Sequence, residues 1–232
     1  MIITIITIII SLTVIILASL YYWCKTPIIH EYKSDISGPK IVIVTGTHGN
    51  ELAPHYKITE YFSNKKISKG SIKLIIVNKC GILFKDREQG IINPFNDINR
   101  NYGKNNYINN IIEQHIDDAT LVVDFHESID YDYIVDHKKP TGIGNSMMYN
   151  NNYMDVEDIV NDLNIKYKGP QWTSYNMTRN QEFGDVDGSL SKYCDTKNIN
   201  YILVETSKKD SYTRRQKITT RILDYIYYKY LT

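Results

Sequence analysis

From Ile2 to Trp23 the chain carries no charged side chain. A run of this length and apolarity has few places to go in a folded protein, and the most economical is a helix across a bilayer, which needs about 20 apolar residues. The alternative is a cleaved signal peptide. Against that reading, no Lys or Arg precedes the run, it exceeds the roughly 7–15 residues of a signal core, and no clear small-x-small cleavage site follows. The sequence therefore predicts a single-pass anchor over residues 1–24, held in the membrane through residues 2–23. A polar linker over 25–39 and a catalytic-sized domain over 40–232 follow.

Lys25, Lys33 and Lys40 are the first cations, all C-terminal to the run. By the positive-inside tendency they put the domain on the cytosolic side. Asn176-Met177-Thr178 is a glycosylation acceptor sequence that would be modified only if the domain were lumenal or extracellular. Lys+Arg total 27 and Asp+Glu 26, a net charge of +1, which gives no electrostatic reason to expect nucleic acid as a partner. The three cysteines, Cys24, Cys80 and Cys194, form no CxxC pair and no even framework. They are expected as free thiols in a reducing compartment, with Cys24 placed for acylation at the end of the apolar run.

Beyond Pro39 the apolar pattern switches on abruptly. Ile41–Val44, Ile72–Val77, Leu121–Val123 and Tyr201–Val204 are short apolar runs of buried-strand length. Helical stretches are expected over Leu52–Phe62, Asn106–Ile116, Val156–Leu163, Gly188–Lys197 and Thr213–Tyr230. In the last of these Ile218, Ile222, Tyr225, Ile226 and Tyr230 recur at helical spacing. Gly81–Gly103 and Asp130–Asn152 read as irregular or loop-like. Alternating strands and helices predict an α/β fold, a three-layer α/β/α sandwich around a mixed, mostly parallel sheet.

Two strands end in metal-binding chemistry. Gly46-Thr47-His48-Gly49-Asn50-Glu51 follows Ile41–Val44 directly, where α/β folds present binding residues. The three-residue spacing lets one tight turn aim the His48 imidazole and the Glu51 carboxylate at one point, with Gly49 easing the backbone between them. Asp124-Phe125-His126 follows the third strand. A single His after a strand is most often an ordinary loop residue, and an isolated HxxE is most often coincidence. Together, His48, Glu51 and His126 supply the three protein ligands that a hydrolytic zinc takes, leaving one position for water.

Asp97-Ile98-Asn99-Arg100 adds a carboxylate that can orient a ligand histidine, an amide donor, and a planar guanidinium fork suited to a substrate carboxylate. The plain alternative is a solvated polar loop. Glu205 ends the apolar run Tyr201–Val204, where a carboxylate is costly without a partner or a task. It suits a general base that takes a proton from water; otherwise it is a salt-bridged edge residue.

In this order the four elements resemble the metallocarboxypeptidase family, which includes murein peptide amidases and the succinylglutamate desuccinylase/aspartoacylase branch. The resemblance runs over roughly residues 40–207. It implies one Zn2+ per chain on His48, Glu51 and His126, a ligand set known from zinc carboxypeptidases. Asp97 matches the acid behind a ligand, Asn99 and Arg100 the pair gripping the substrate carboxylate, and Glu205 the catalytic base. Arg87 matches the arginine that stabilises the oxyanion. Gly188-Ser189-Leu190-Ser191-Lys192-Tyr193 resembles the segment before the final strand, and Leu190 the position lining the specificity pocket, which is apolar here and unlike that of a basic-residue carboxypeptidase. The substrate-capping tyrosine of digestive enzymes falls near Phe183, which has no hydroxyl; Tyr175 is a neighbouring candidate.

The implied substrate is a peptide or acyl amino acid with a free carboxylate. The chain is too short for the extra β-rich domain of the desuccinylase branch, which favours a peptidase or amidase. The Gly-Thr-His-Gly-Asn-Glu wording favours that branch instead, as an N-acyl amino acid hydrolase. An inactive membrane-tethered binding module is the third reading, and the intact set of ligands, acid and base counts against it.

Overall fold

The computed structural model describes residues 2–63, 65–88, 97–129, 134–136, 139–142, 144–150, 155–167, 169–177 and 186–232. In chain order the elements are α1 (Ile2–Lys25), β1 (Ile28–Lys33), β2 (Lys40–Thr45), α2 (Leu52–Phe62), β3 (Ser71–Ile76), α3 (Lys79–Phe84), α4 (Tyr107–Ile116), β4 (Leu121–Ser128), β5 (Ile134–Asp136), β6 (Lys139–Gly142), β7 (Ser146–Tyr149), α5 (Asp155–Lys166), β8 (Thr173–Asn176), α6 (Leu190–Thr196), β9 (Asn200–Ser207) and α7 (Tyr212–Tyr230). Seven strands form one sheet in the order β1-β3-β2-β4-β9-β7-β8. β3, β2, β4 and β9 are mutually parallel, β1 runs antiparallel to β3 and β7 antiparallel to β9, and β8 runs parallel to β7. This is the mixed, mostly parallel sheet that the sequence predicts.

The central strands alternate between two cores. Ile41, Ile43, Val123 and Phe125 face Ile58, Phe62, Val156, Ile159, Ile218 and Ile222, which come from α2, α5 and α7. Val42, Val44, Val122 and Tyr201 face Ile108, Ile112, Leu190 and Cys194, from α4 and α6. Because both faces are covered, the interior of β2 and the first three residues of β4 read in sequence as unbroken apolar runs rather than alternating ones. Helix starts are set by capping side chains: Ser189 accepts from Lys192 N–H at 3.2 Å and Ser211 from Arg214 N–H at 3.3 Å.

Several expectations are corrected. Residues 28–33, read as linker, form β1, which pairs antiparallel with β3. An edge strand is half-buried, so its polar mixture hid it. The region read as a loop from 130 to 152 contains β7, whose Ser-Met-Met-Tyr lacks the β-branched signature, and the backbone of the small β5–β6 pair. Residues 81–103 are not wholly irregular: α3 spans Lys79–Phe84 and a 3-10 turn spans Ile98–Arg100. β8 was not anticipated.

α1 is long and apolar enough to cross a membrane, with mean hydropathy 2.8 over its most apolar window and none of that window buried in the protein. Cys24, at its end, is not a free thiol. It is joined to Cys80 of α3, with their Cα atoms 5.3 Å apart, inside the range of ordinary disulfides. A bridged, buried Cys24 has no thiol to acylate. Such a bond persists in oxidising compartments, so the fold gives no support to the cytosolic orientation read from the flanking lysines. Alkylation of the denatured, unreduced protein should therefore label one cysteine, Cys194, and all three after reduction; three labels without reduction would rule the bridge out.

Candidate metal centre

The C-terminal ends of β2, β4 and β9 deliver the site. Gly46, with φ +66°, turns the chain out of β2 in the left-handed region that favours glycine. Gly49 serves closeness instead: a Cβ there would lie 1.9 Å from the Gly81 carbonyl carbon, so only hydrogen lets this loop rest on the α3 backbone. His48 and Glu51 project from the loop. In β4, period-2 alternation puts Asp124 and His126 on one face and Phe125 and Glu127 on the other. In β9, Glu205 lies in register with His126.

His48, Glu51 and His126 each offer a ligand atom, all within 4.8 Å of one another, and all three residues are buried. Glu51 Oε1 is 2.9 Å from His48 Nδ1, and Glu51 Oε2 is 2.9 Å from His126 Nδ1. The two Nδ1 atoms face each other at 3.2 Å. Each ring's other nitrogen is already engaged. His48 Nε2 lies 3.3 Å from Asp97 Oδ1, and His126 Nε2 lies 3.1 Å from Asp124 Oδ2, which also accepts Tyr201 OH at 3.0 Å. A carboxylate behind each ring favours a proton on Nε2, so in the neutral rings Nδ1 would be the nitrogen left to ligate a cation.

The electrostatics have the same cause. Burial opposes charge on both rings, but Asp97 and Glu51 raise the His48 pKa, and Asp124 and Glu51 raise that of His126. Burial likewise opposes ionisation of Glu51 and Asp97. His126 and His48 nevertheless hold Glu51 far below the usual carboxylate range, and His48 does the same for Asp97. Glu51 Oε2, though close to His126, accepts no well-directed hydrogen bond among the described residues. Two facing imidazole nitrogens and an under-used buried carboxylate oxygen fit a cation. The group is positioned to hold a metal ion.

Glu51 stands at the N-terminus of α2 yet makes no side-chain cap. Glu127 takes that place from across the sheet, accepting from Ala53 N–H at 3.4 Å while paired with Arg215 of α7. The carboxylate of Glu51 is thereby left to the two rings.

Arg87, half exposed, sits 3.5 Å from Glu51 Oε1 and 3.6 Å from Asp97 Oδ2, at the rim of the group. Asn99 Oδ1 accepts the Leu190 N–H at 2.8 Å, which commits its NH2 end to face elsewhere. Arg100 is also half exposed, 3.8 Å from Asp97 Oδ2. Glu205 is buried; desolvation, with Glu51 beside it, pushes its carboxyl up to about 8, partly offset by the two rings. Leu190 is placed differently from expectation. It is 1% exposed and packed in the core with Val42 and Ile112, and its backbone N–H donates to Asn99 Oδ1. Phe183 lies outside the described residues. Tyr175 packs against the same core as Leu190.

Sequence reading assigned no role to Asp124, Tyr201 or Glu127. The signal for Asp124 was present: a carboxylate two residues before a strand histidine shares its face. Glu127 and Tyr201 depend on contacts 74 and 77 positions away, which no local pattern announces.

The sequence matches no protein-family model and no curated protein. Solved structures do match. Tripeptide-bound Cell Shape Determinant protein Csd4 from Helicobacter pylori aligns with TM-score 0.73 and 16% identity, over 88% of this chain and 55% of that one. Csd4 is described as a D,L-carboxypeptidase and is also known in an mDAP-bound form. A succinylglutamate desuccinylase from Silicibacter sp. TM1040 aligns with TM-score 0.61 and 13% identity, over 88% and 61% of the respective chains. The chain spans little more than half the length of Csd4. The likeness is one of fold: the chain shares the mixed α/β fold of these structures.

Removing one ligand should abolish stoichiometric metal. His126→Ala is expected to lose the bound ion, whereas Asp124→Asn, which keeps all three ligands, should weaken affinity roughly 10–100-fold. Metal analysis and chelator competition on folded protein measure both. Equal metal in parent and His126→Ala would remove His126 from the ligand set.

Proposed function

We propose that the chain is a zinc-dependent hydrolase that cleaves an amide bond next to a free carboxylate, of the metallocarboxypeptidase or peptide amidase kind. The observation that carries this reading is the convergence of two inward Nδ1 atoms and Glu51, with a buried carboxylate behind each ring. His48, Glu51 and His126 would hold the ion, and nitrogen and oxygen donors in this number suit zinc with one position left open. When bound, zinc polarises a carbonyl and acidifies a water molecule.

The chain's own groups account for the rest. Glu205 is buried at the end of β9, beside the ligands, where a carboxylate can accept a proton from water and return it to the leaving amine. Burial favours its protonated form, and a cation held by the ligands would favour the ionised form that can act as a base. Arg87 brings positive charge to the rim, where negative charge develops on the carbonyl oxygen. Arg100 and the NH2 of Asn99 form the grip for the substrate carboxylate. The Leu190 contact fixes the orientation of that amide.

An N-acyl amino acid hydrolase is the second reading. It is favoured by the Gly46–Glu51 wording and by the fold likeness to the desuccinylase. Both readings share the site and the carboxylate grip, and both take α1 as a membrane anchor, with the catalytic domain running from β1 onward because that strand belongs to its sheet.

Glu205→Gln should keep the metal and lose most hydrolysis, about 10²–10⁴-fold in kcat. Near-normal kcat on a substrate the parent cleaves would exclude Glu205 as the base.

Arg100 is tested by a cycle over enzyme and substrate. A charge-assisted grip on the terminal carboxylate contributes roughly 1.5–3 kcal/mol, or about 10–150-fold in kcat/KM. Arg100→Ala should cost that much on a free-acid substrate and almost nothing on its C-terminal amide. Arg100→Lys should recover only part, having the charge without the fork. Simple addition of the two losses would mean that Arg100 does not touch the carboxylate.

A further inference from the structure

The sheet topology decides where the apolar helix meets the domain. β1 runs antiparallel to β3, with Ile28 opposite Ile76. The chain therefore enters the domain at the C-terminal end of the parallel strands, the end that carries His48, His126 and Glu205. Only Thr26 and Pro27 separate Lys25, the last residue of α1, from Ile28. The three Cα–Cα steps from Lys25 to Ile28 reach no further than about 11 Å. A flexible fifteen-residue tether would instead have let the domain drift by roughly 20 Å.

α3 closes that short gap. On one side it is fastened to the last turn of α1 by the Cys24–Cys80 bridge, and by Lys79, whose ammonium lies 4.5 Å over the Trp23 ring. On the other side its Gly81 backbone lies against Gly49, between the metal ligands His48 and Glu51. One short helix thus separates the end of α1 from the candidate metal centre. That helix leaves Leu83 61% and Phe84 66% exposed, followed by Lys85. Nearby on α1, Tyr21, Tyr22 and Trp23 are also exposed. Ile129, 72% exposed, follows β4 at the same end of the sheet. Aromatic, apolar and lysine side chains in this mixture suit the headgroup level of a bilayer.

We propose that the active-site end of the domain rests on the bilayer surface, with Leu83 and Phe84 of α3 entering the headgroup–acyl boundary. The site then acts on a peptide or acyl amino acid that is itself held at that surface. The docking rests on the anchor reading of α1, and the substrate class rests on the hydrolase reading above. A domain joined through two residues and a covalent clip cannot turn its mouth freely toward bulk solution. Substrate presented at the headgroup level meets the ligands directly.

The test uses the full chain, unreduced, in phosphatidylcholine vesicles carrying a phospholipid with a diazirine at headgroup level. After illumination, adducts are mapped by mass spectrometry. Adducts are expected on 21–23 and on 83–85. Adducts on 2–23 with none on 83–85 overturn the docking and leave the anchor standing; adducts on neither overturn both. A Leu83→Ser/Phe84→Ser double variant then separates membrane from site. Cleavage of a vesicle-tethered peptide should fall about tenfold, the loss expected when two partly inserted apolar side chains are removed. Cleavage of a soluble peptide with the same end should stay unchanged. Equal loss on both substrates, or loss on neither, overturns the proposal. A parent protein that cleaves neither peptide defeats the hydrolase reading, and the substrate class with it, while the adduct map still decides the docking.

Discussion

Glu51 sits between two imidazole rings with almost no water to screen it, its two oxygens each 2.9 Å from a ring nitrogen. An ionised carboxylate buried alone would cost several kcal/mol. Here it is held ionised by the rings, and the rings are held in place by Asp97 and Asp124 behind them. Charge therefore alternates outward from the centre: carboxylate, ring, carboxylate. Removing any member leaves its neighbour buried and unbalanced, which ties ligand geometry to the stability of the sheet ends. A divalent cation is the simplest single group that satisfies the facing nitrogens and the under-used oxygen together.

That arrangement needs a backbone able to bring β2, β4 and their following loops together. Strand alternation does half of this, since Asp124 and His126 share a face two residues apart. Close approach of glycines does the other half. The Gly49 loop rests directly on Gly81, and the Gly49 N–H donates to the Arg87 carbonyl at 3.2 Å. Asn78 caps α3 through Gly81 N–H and also donates to the Glu88 carbonyl at 2.8 Å. The rim residue Arg87 and the ligand loop are thus positioned by one backbone junction.

Much of this was legible in sequence because the informative residues are local. The four buried strands announce themselves as apolar runs, and the ligand loop follows its strand without a gap. That His48, Glu51 and His126 converge, and that Asp97 and Arg100 lie beside them, could be read from residue chemistry and spacing. What was hidden has physical reasons. β1 and β7 are short strands whose residues, Ile-Ile-His-Glu-Tyr-Lys and Ser-Met-Met-Tyr, lack a buried-strand pattern, and their place is fixed by partners far along the chain. Cys24 and Cys80 are 56 positions apart, so their pairing is a property of the fold. Leu190 was assigned by resemblance to a pocket, but its position at the start of α6 packs the side chain inward, and only its N–H reaches Asn99.

The capping of α2 shows why a site of this kind recruits residues from beyond its own motif. A carboxylate at a helix N-terminus is normally drawn to the free backbone N–H groups there. If Glu51 answered that pull, it would turn away from the rings. Glu127, one residue after His126 and on the opposite face of β4, supplies the acceptor instead, with Arg215 of α7 balancing its charge. Consecutive residues of one strand thus do opposite jobs on opposite faces: His126 faces Glu51 and His48, and Glu127 satisfies the helix start that would otherwise compete for Glu51. The strand's two-residue period lets a single segment hold both, and through the Arg215–Glu127 pair it links α7 to the start of α2, the helix that follows Glu51.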